Sequence, residues 1–324
     1  MKRSAKPAAK TTERVDPYQR VTEAILKQLE AGTVPWHQPW SAYRTAGKGG
    51  PVTGPRNAVT GHAYRGINFW LTAAQPYRDP RWLTFKQALD LGGCVRKGEH
   101  GTTVVLWKPT RYTVEDAKTG EEKTKQGLYL RTFTVFNVEQ CDNLKLPELK
   151  QAAPLAPEAQ IEAAEAVAAG MPDRPTLMHG GDRAYYSPAL DTVVVPDAGA
   201  FDSPAHYYAT LFHELGHSTG HASRLNRADL QDAAAFGDDV RSREELTAEL
   251  TAAFLCAEAG IDSEGLLANT AAYVASWSRF LRDDPKAVVF AAARAQRAAD
   301  YVLNRQPQAP AAEPQNDATA PQAA

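Results

Sequence analysis

The chain has 324 residues, and 36 Lys and Arg against 38 Asp and Glu give it a formal net charge of −2 at pH 7. Such a length exceeds the usual single-domain core and predicts two domains. No apolar run approaches the ~20 residues of a transmembrane helix, and no apolar segment of a secretory signal follows the basic N-terminus. The three cysteines are scattered, as in proteins of a reducing compartment. We therefore expect a cytoplasmic protein without a membrane span.

The charge is divided unevenly along the chain. Residues 1–150 carry 24 Lys and Arg against 14 Asp and Glu, whereas the remainder carries 12 against 24. The first part therefore has a charge of +10 and the second a charge of −12. This asymmetry predicts different partners for the two parts, with a polyanion for the basic one.

The basic part has the pattern of an α+β domain. Residues 1–15 are polar and are predicted to be a disordered basic lead-in to a first domain at residues 16–142. An apolar spacing of four predicts an amphipathic helix from Asp16 to Ala31, and a further helix is expected to open at Arg81, with Thr84 as a plausible N-cap. Alternating segments, with a charged hairpin loop before the last, predict strands at residues 103–108, 112–114 and 130–137.

A proline-containing linker at residues 143–157 precedes a second, mostly helical domain at residues 158–304. Helical patterns and one β-hairpin with a Pro-containing turn are recognisable in this domain. The predicted helices lie at residues 158–170, 243–259, 264–282 and 286–304, and the hairpin strands at 183–188 and 191–196. Residues 305–324 are a Pro/Ala/Gln tail that is predicted to be disordered. The predicted fold class of the whole chain is α+β.

The pattern H-E-x-x-H stands at residues 213–217 and is typical of a zinc-binding helix. Ser203 and Pro204 are suited to begin this helix, and Gly220 to end it. His213 and His217 lie one turn apart, so both imidazoles can reach one metal ion. Glu214 is the candidate catalytic base, since a metal lowers the pKa of its bound water from about 16 towards ~7. The plainer alternative is a surface helix with two exposed histidines and a salt-bridging glutamate.

A catalytic zinc site needs a third protein ligand, and several candidates follow the helix. His221 continues the spacing of four, but three ligands along one straight helix would be collinear. The longer metzincin pattern requires a histidine where Ser223 stands, so that pattern fails. Glu245 and Glu249 share one face of the next helix and resemble the E-x-x-A-D element of glutamate-liganded zincins. That resemblance implies Glu245 as a ligand and Glu249 as an outer carboxylate that orients a ligand.

The third ligand therefore stays open between Glu245 and Glu249, with Glu245 favoured. A solvated helix face is the common alternative for two such glutamates. The predicted cofactor is one ion of zinc or another divalent metal, held by His213, His217 and Glu245.

The basic part interleaves aromatic residues with cations and amides, which is typical of single-stranded nucleic-acid binding. Bases stack on the aromatic rings while cations contact phosphates. The alternative is that the tryptophans belong to the core; Trp36 and Trp40, in a proline-bounded segment, are expected to be exposed. The candidate nucleic-acid-binding residues are Trp36, Trp40, Asn57, Tyr64, Arg65, Asn68, Trp82, Lys86, Gln87, Arg96 and Lys97.

Several segments resemble the ArdC-type antirestriction proteins of plasmids, and the N-terminal part of TraC-type plasmid primases is similar. They are PRNAVTGHAYRGINFW, RWLTFKQALDLGGCVRKGEHGTTVV, FTVFNVEQCDNL, DRAYYSPALDTVVVP, FHELGHSTGHASRLNR and EELTAELTAAFLCAEAGI. The resemblance covers roughly residues 16 to 304 in the family's order. It implies a single-stranded-DNA-binding domain followed by a zincin-like metallopeptidase domain. It also implies protection of incoming DNA from host restriction.

Within this resemblance, the H-E-x-x-H motif falls on His213, Glu214 and His217. The T-G-H-x-S-R-L motif covers residues 219–225 and is expected to support the exit of the helix. Nothing in the chain resembles a primase catalytic centre. The predicted partners are single-stranded DNA and an unknown protein substrate, such as a host restriction or DNA-bound protein. The alternatives are a non-catalytic DNA-shielding protein with a structural metal, and an accessory subunit of a plasmid primase.

Overall fold

A computed structural model describes residues 16–32, 34–36, 45–47, 50–52, 54–115, 122–149, 155–227, 238–261 and 271–306. The predicted lead-in, residues 307–324 of the predicted tail, and Trp40 lie outside these residues. The helices are α1 (Pro17–Glu30), α2 (Ile67–Ala73), α3 (Phe85–Asp90), α4 (Pro157–Ala169), α5 (Pro204–Ser218), α6 (Asp238–Ala259), α7 (Ala271–Asp283) and α8 (Ala287–Val302). The strands are β1 (Thr45–Gly47), β2 (Gly50–Val52), β3 (Arg56–Asn57), β4 (Arg81–Leu83), β5 (Cys94–Val95), β6 (Thr102–Glu115), β7 (Glu122–Asn137), β8 (Cys141–Asp142), β9 (Thr176–His179), β10 (Tyr185–Ser187) and β11 (Thr192–Val195).

The first part of the chain is built on a four-stranded sheet of order β3-β4-β7-β6. β6 and β7 pair antiparallel from Thr102–Val135 to Glu115–Glu122. The sequence predicted three shorter strands here with a charged loop between the last two. That prediction is wrong in its boundaries, because both strands run on through the charged residues to the 116–121 connection.

β4 pairs with β7 only at Trp82–Asn137 and Leu83–Phe136, so most of the β6–β7 hairpin is a two-stranded ribbon. The predicted helix opening at Arg81 begins later, because residues 81–83 pair in the sheet as β4. Thr84 then caps α3, and its hydroxyl accepts a hydrogen bond from the Gln87 amide, as the predicted N-cap requires.

The second part of the chain is mostly helical, with a small sheet of order β10-β11-β9 beside α5. β10 and β11 form the predicted antiparallel hairpin, and β11 pairs in parallel with β9, a strand that the sequence did not indicate. The observed helices agree with the predicted ones with two differences. α6 begins at Asp238, five residues before the predicted start at residue 243. α7 is described from Ala271, and the first residues of the helix predicted at 264–282 lie outside the described residues. The mixture of helices and small sheets confirms the α+β prediction.

One apolar core joins the two parts. It takes Ile25 and Leu29 from α1, and it continues through Trp70 into the buried faces of α5, α6 and α8. The Trp70 ring lies 4.6 Å from that of Phe254, measured between ring centroids, so α2 packs directly on α6. Trp82 centres a smaller cluster beneath the sheet. The predicted domain boundaries stay a prediction, but the helices on either side of the predicted linker share one core.

Polar contacts also cross between the two parts. The Thr22 hydroxyl donates to the Pro285 carbonyl at 2.7 Å, and Arg65 forms an ion pair with the buried Asp300 of α8. Among the described residues, every helix is too short or too polar to span a bilayer.

Candidate metal centre

Helix α5 carries the H-E-x-x-H motif and begins where the sequence predicts. The Ser203 hydroxyl accepts a hydrogen bond from the His206 amide at 3.3 Å, and Pro204 occupies the first helical position. Leu211 and Leu215 are buried on the side of the helix that faces the core. The helix ends at Ser218, so the expected stop at Gly220 lies two residues beyond it. His213 and His217 are thereby held on the face opposite the most buried leucines.

The two histidines and Glu245 converge on one point. Their donor atoms all lie within 4.8 Å of one another, and among the described residues they form the one such cluster of metal-ligating side chains. The Nε2 atoms of His213 and His217 are 3.1 Å apart. The Glu245 oxygens lie 3.5 Å from Nε2 of His213 and 3.7 Å from Nε2 of His217. Two imidazole nitrogens and a carboxylate oxygen are a donor set that fits a divalent metal such as zinc.

A second carboxylate holds His217 from behind. Oε1 of Glu244 lies 3.2 Å from Nδ1 of His217, so Nδ1–H can donate to it while Nε2 points into the cluster. Glu244 is itself buried and paired with the buried Arg227. Arg227 also donates to the Gly216 carbonyl at 2.9 Å, and so ties Glu244 to the end of α5. The sequence did not point to either residue.

The outer carboxylate predicted from the sequence was Glu249, and the structure puts Glu244 beside His217 instead. Glu249 is buried one turn beyond Glu245, and its charge adds to the effect of burial in raising the pKa of Tyr273. Its role toward the metal stays a prediction. His221 lies past the end of α5, where its Nδ1 is 2.8 Å from the Ser223 hydroxyl.

The titrating groups of the cluster are shifted in opposite directions. Burial lowers the pKa of His217, but hydrogen bonds to Glu244 and Glu245 outweigh it and raise that pKa to about 10. Hydrogen bonds from His213 and His217 hold the pKa of Glu245 well below its usual range. Burial raises the pKa of Glu214, whose side chain is 7% exposed, although both histidines oppose the shift. The cluster thus keeps Glu245 ionised while Glu214 is disposed to take up a proton.

The close approach of α5 and α6 depends on a glycine within the motif. A Cβ atom on Gly216 would lie 3.2 Å from Cβ of Thr251 and 3.3 Å from the Cα of Ala248. Both distances are shorter than ordinary van der Waals contact. Gly216 therefore lets α6 come near enough for Glu245 to reach the two histidines.

The chain leaving α5 is fixed by an arginine of the T-G-H-x-S-R-L motif. Arg224 donates to the Ser218 carbonyl at 2.7 Å and pairs with Asp191, which lies between β10 and β11. Its other bonds include one of 3.1 Å to the Tyr186 hydroxyl. These contacts join the helix exit to the small sheet, which is the kind of support expected for this motif.

Most of the predicted nucleic-acid-binding residues have partners inside the protein. Asn57 donates to Gln87 at 3.1 Å, Asn68 bonds to both backbone groups of Val105, and Arg65 pairs with Asp300. Burial raises the pKa of Tyr64 to about 12. Arg96 reaches Glu99 at 2.7 Å, whereas Lys97 is exposed in a turn and Lys86 is half-buried.

The expectation that Trp36 is exposed is wrong. Its side chain is fully buried, and its ring packs edge-on against Trp277 of α7 at a centroid distance of 6.5 Å. Trp82 is buried as well, in the smaller cluster under the sheet. Neither ring can stack on a base in this arrangement.

A helix with this motif, a carboxylate from the following helix and a small flanking sheet together define a zincin-like metallopeptidase fold. Residues 162–294 match the family model described as a zincin-like metallopeptidase, and residues 15–136 match that of the N-terminal domain of anti-restriction factor ArdC. Crystal structures of the antirestriction protein ArdC from plasmid R388, one metal-free and one Mn(II)-bound, are similar to this chain. They are 39% and 38% identical to it and superpose with TM-scores of 0.66 and 0.65. They cover 90% and 89% of this chain, and the matches span 100% and 97% of their own chains. The chain belongs to the ArdC antirestriction family.

Two curated relatives extend the comparison. The uncharacterised protein y4eC of Sinorhizobium fredii (strain NBRC 101917 / NGR234) is 38% identical over 299 residues, which is 90% of this chain and 92% of that protein. The DNA primase TraC of Escherichia coli is 41% identical over 303 residues, or 88% of this chain. That match covers only 27% of TraC, so this chain corresponds to about a quarter of the primase.

Proposed function

We propose that this protein combines a divalent-metal peptidase with a single-stranded-DNA-binding region and protects incoming mobile-element DNA from host restriction. The observation that carries the peptidase part is the convergence of His213, His217 and Glu245 near a buried Glu214. Three protein donors match a catalytic rather than a structural zinc site, since structural sites fill all four positions with protein ligands.

In this proposal, the two histidines and Glu245 hold one divalent ion, with zinc as the first candidate. When bound, such an ion supplies Lewis-acid polarisation of the scissile carbonyl and lowers the pKa of a water towards ~7. Glu214 accepts the proton of the attacking water and returns it to the leaving amine.

The test compares wild type with Glu214→Gln and His217→Ala. Metal content of each purified protein is measured first, followed by cleavage of a fluorescent casein and of a proteome-derived peptide library. We expect Glu214→Gln to keep its metal and lose at least about a hundredfold in cleavage rate, since general acid–base groups contribute 10²–10⁴-fold. His217→Ala should lose both metal and cleavage. Cleavage by Glu214→Gln at the wild-type rate would exclude this mechanism.

The DNA-binding part of the proposal is supported by the +10 charge of residues 1–150 and by the match to the ArdC N-terminal domain. A peptidase tethered to DNA meets proteins bound to the same DNA at a high effective concentration. DNA-bound host proteins, restriction enzymes among them, are therefore the proposed substrates.

Protection is tested by introducing restricted plasmid DNA into cells that express wild type or Glu214→Gln. Loss of protection in the variant supports a proteolytic role. Full protection by Glu214→Gln would favour the alternative of a stoichiometric DNA shield in which the metal is structural.

A further inference from the structure

The β6–β7 ribbon has two faces with different surroundings. On the inner face, Leu130 is buried in the main core, and the Trp107 ring contacts those of Tyr18 in α1 and Phe290 in α8. Successive residues of a strand point to opposite faces, so the neighbours of Trp107 and Leu130 point away from these helices. The base of that second face is covered by Trp82, which packs with Phe133.

Beyond its base, the second face carries cations and aromatic rings in alternation. In the register of the ribbon, Lys108 stands opposite Tyr129 and Tyr112 stands opposite Lys125. Arg131 lies on the same face of β7, two residues beyond Tyr129 towards the base. We call this surface the outer ribbon face and define it by Lys108, Thr110, Tyr112, Lys125, Tyr129 and Arg131. None of these described side chains is acidic.

The aromatic rings of this face are accessible. Tyr112 is 48% exposed and Tyr129 is 46% exposed. A buried tyrosine would count as core, but these two half-exposed rings lie on adjacent strands of the same face, four residues apart in the register. A strand rises ~3.4 Å per residue, so the two rings are separated by roughly 13 Å along the ribbon and each has room for its own base.

Two contacts hold the side chains in place before any ligand binds. The Arg131 guanidinium carbon lies 5.1 Å from the centroid of the Phe133 ring, a cation–π contact at the base of the face. The Tyr112 ring lies across Gly127, where an added Cβ would come within 2.8 Å of it. Because Gly127 has no side chain, the Tyr112 ring can occupy this space.

We propose that the outer ribbon face is the site at which this protein holds single-stranded DNA. Bases stack on Tyr112 and Tyr129, while Lys108, Lys125 and Arg131 contact the phosphates. Duplex DNA would offer phosphates to the cations but no free base faces to the rings. The inference rests on the proposed function, since it assigns a place to the DNA binding proposed above.

The first experiment measures the affinity of the full-length protein for a fluorescein-labelled oligothymidylate by anisotropy over a series of salt concentrations. The test variants are Tyr112→Leu/Tyr129→Leu and Lys108→Gln/Lys125→Gln. The matched controls are Tyr185→Leu, an exposed tyrosine of β10, and Arg111→Gln, on the opposite face of the same ribbon. Thermal unfolding of each variant verifies that the fold is retained.

We expect the double tyrosine variant to bind about tenfold or more weakly with an unchanged salt dependence, because stacking does not release counterions. The double lysine variant should show a shallower salt dependence, by roughly 0.7 in log–log slope for each phosphate contact that is lost. Both controls should stay within about twofold of wild type.

Other outcomes overturn the proposal in distinguishable ways. Wild-type affinity in the double tyrosine variant would put the DNA site elsewhere and leave the proposed function intact. Equal affinity for duplex and single strand, with equal losses in the variants, would reduce the face to a phosphate-binding surface. Tighter binding of an RNA of the same sequence would reassign the ligand. A wild-type protein that binds no single-stranded DNA would overturn both the inference and the proposed DNA binding.

A crosslinking experiment gives an independent readout. An oligothymidylate that carries 5-iodouracil is irradiated with the full-length protein, and the adduct is mapped by mass spectrometry. Stacking predicts adducts at Tyr112 or Tyr129. Adducts confined to other aromatic residues would contradict the assignment.

Discussion

At the scale of single residues, Glu244 links the buried Arg227 to His217 and so orients one histidine of the proposed metal site. A ligand histidine whose Nδ1–H is bound by a carboxylate presents Nε2 to the metal in a defined tautomer and orientation. We expect Glu244→Gln to weaken Zn²⁺ or Mn²⁺ binding by roughly 10–100-fold, as the loss of a carboxylate that orients a metal-binding histidine typically does. Calorimetric titration of the purified protein measures this directly.

The matched control is Glu258→Gln, at the other end of α6, where Glu258 pairs with Arg305. That variant should keep wild-type metal affinity. If Glu244→Gln also binds metal as wild type does, helix packing alone would be sufficient to orient His217.

The Asp191–Arg224 pair leads to a prediction about pH. Hydrogen bonding to Arg224 holds the pKa of Asp191 below its usual value. A carboxyl with a lowered pKa stabilises the fold above the ordinary Asp pKa of ~4, and this contribution is lost as the pH falls through the lowered value. We therefore expect Asp191→Asn to melt at a lower temperature than wild type at pH 7.

The difference in Tm should persist down to about pH 5, begin to shrink near pH ~4, where Asp191 of the unfolded chain takes up a proton, and disappear as the pH falls through the lowered pKa of the folded state. Asparagine is the suitable replacement, because residue 191 has a φ of +46°, a conformation that Asn tolerates. Differential scanning fluorimetry across this range measures the effect. A gap that stays constant into acid would mean that the charge of Asp191 is not what stabilises the helix exit.

The local sequence was sufficient for His213, Glu214 and His217, because one helical turn determines their arrangement. It was not sufficient for Glu244 and Arg227, which come together from positions 17 residues apart, across the 228–237 segment. The local sequence was also not sufficient to predict the burial of Trp36, since that burial depends on Trp277, which is far along the chain. Contacts of this kind follow from packing and leave no local pattern.

At the scale of elements, the crossing of α5 over α6 depends on Gly216. Any side chain there must push against the backbone of α6 at Ala248. We expect Gly216→Val to destabilise the fold by about 1–3 kcal/mol through overpacking. Gly216→Ala should cost less, because its higher helix propensity offsets part of the clash.

Urea unfolding of both variants measures these costs, and metal titration adds a second readout. Because the same crossing brings Glu245 to the histidines, Gly216→Val should also bind metal more weakly. A Val variant as stable as wild type would show that α6 can move away without cost.

The β6–β7 ribbon shows why strand boundaries were misjudged. The first predicted strand stopped at residue 108, just before Pro109, and the charged residues between 114 and 130 were predicted to be a hairpin loop. β6 is an edge strand, however, where proline is tolerated because its missing N–H need not pair. Charged side chains are equally acceptable on a ribbon whose outer face is exposed to solvent. The sequence contains Lys108 and Tyr112 in one strand and Lys125 and Tyr129 in the other. Only the register of the two strands shows that each lysine faces a tyrosine across the ribbon.

At the scale of the whole molecule, the shared core predicts cooperative unfolding. α1 covers α7 and α8, and α2 packs on α6 and α8, so removing the first part would expose apolar surface on the second. We expect calorimetry of the full chain to show one transition. A fragment spanning residues 155–306 should melt at a lower temperature and bind a hydrophobic dye. Two separate transitions, or a fragment as stable as the full chain, would show that the parts fold independently.

This shared core also bears on how such proteins are recombined. The match to TraC spans most of this chain and a minor part of the primase, so both halves occur together inside a larger enzyme. A gene exchange that carried only the second part of the chain would produce a domain whose apolar surface is not covered by α1 and α2. We therefore expect a fusion junction to be tolerated outside the two parts rather than at the proline-containing segment between them.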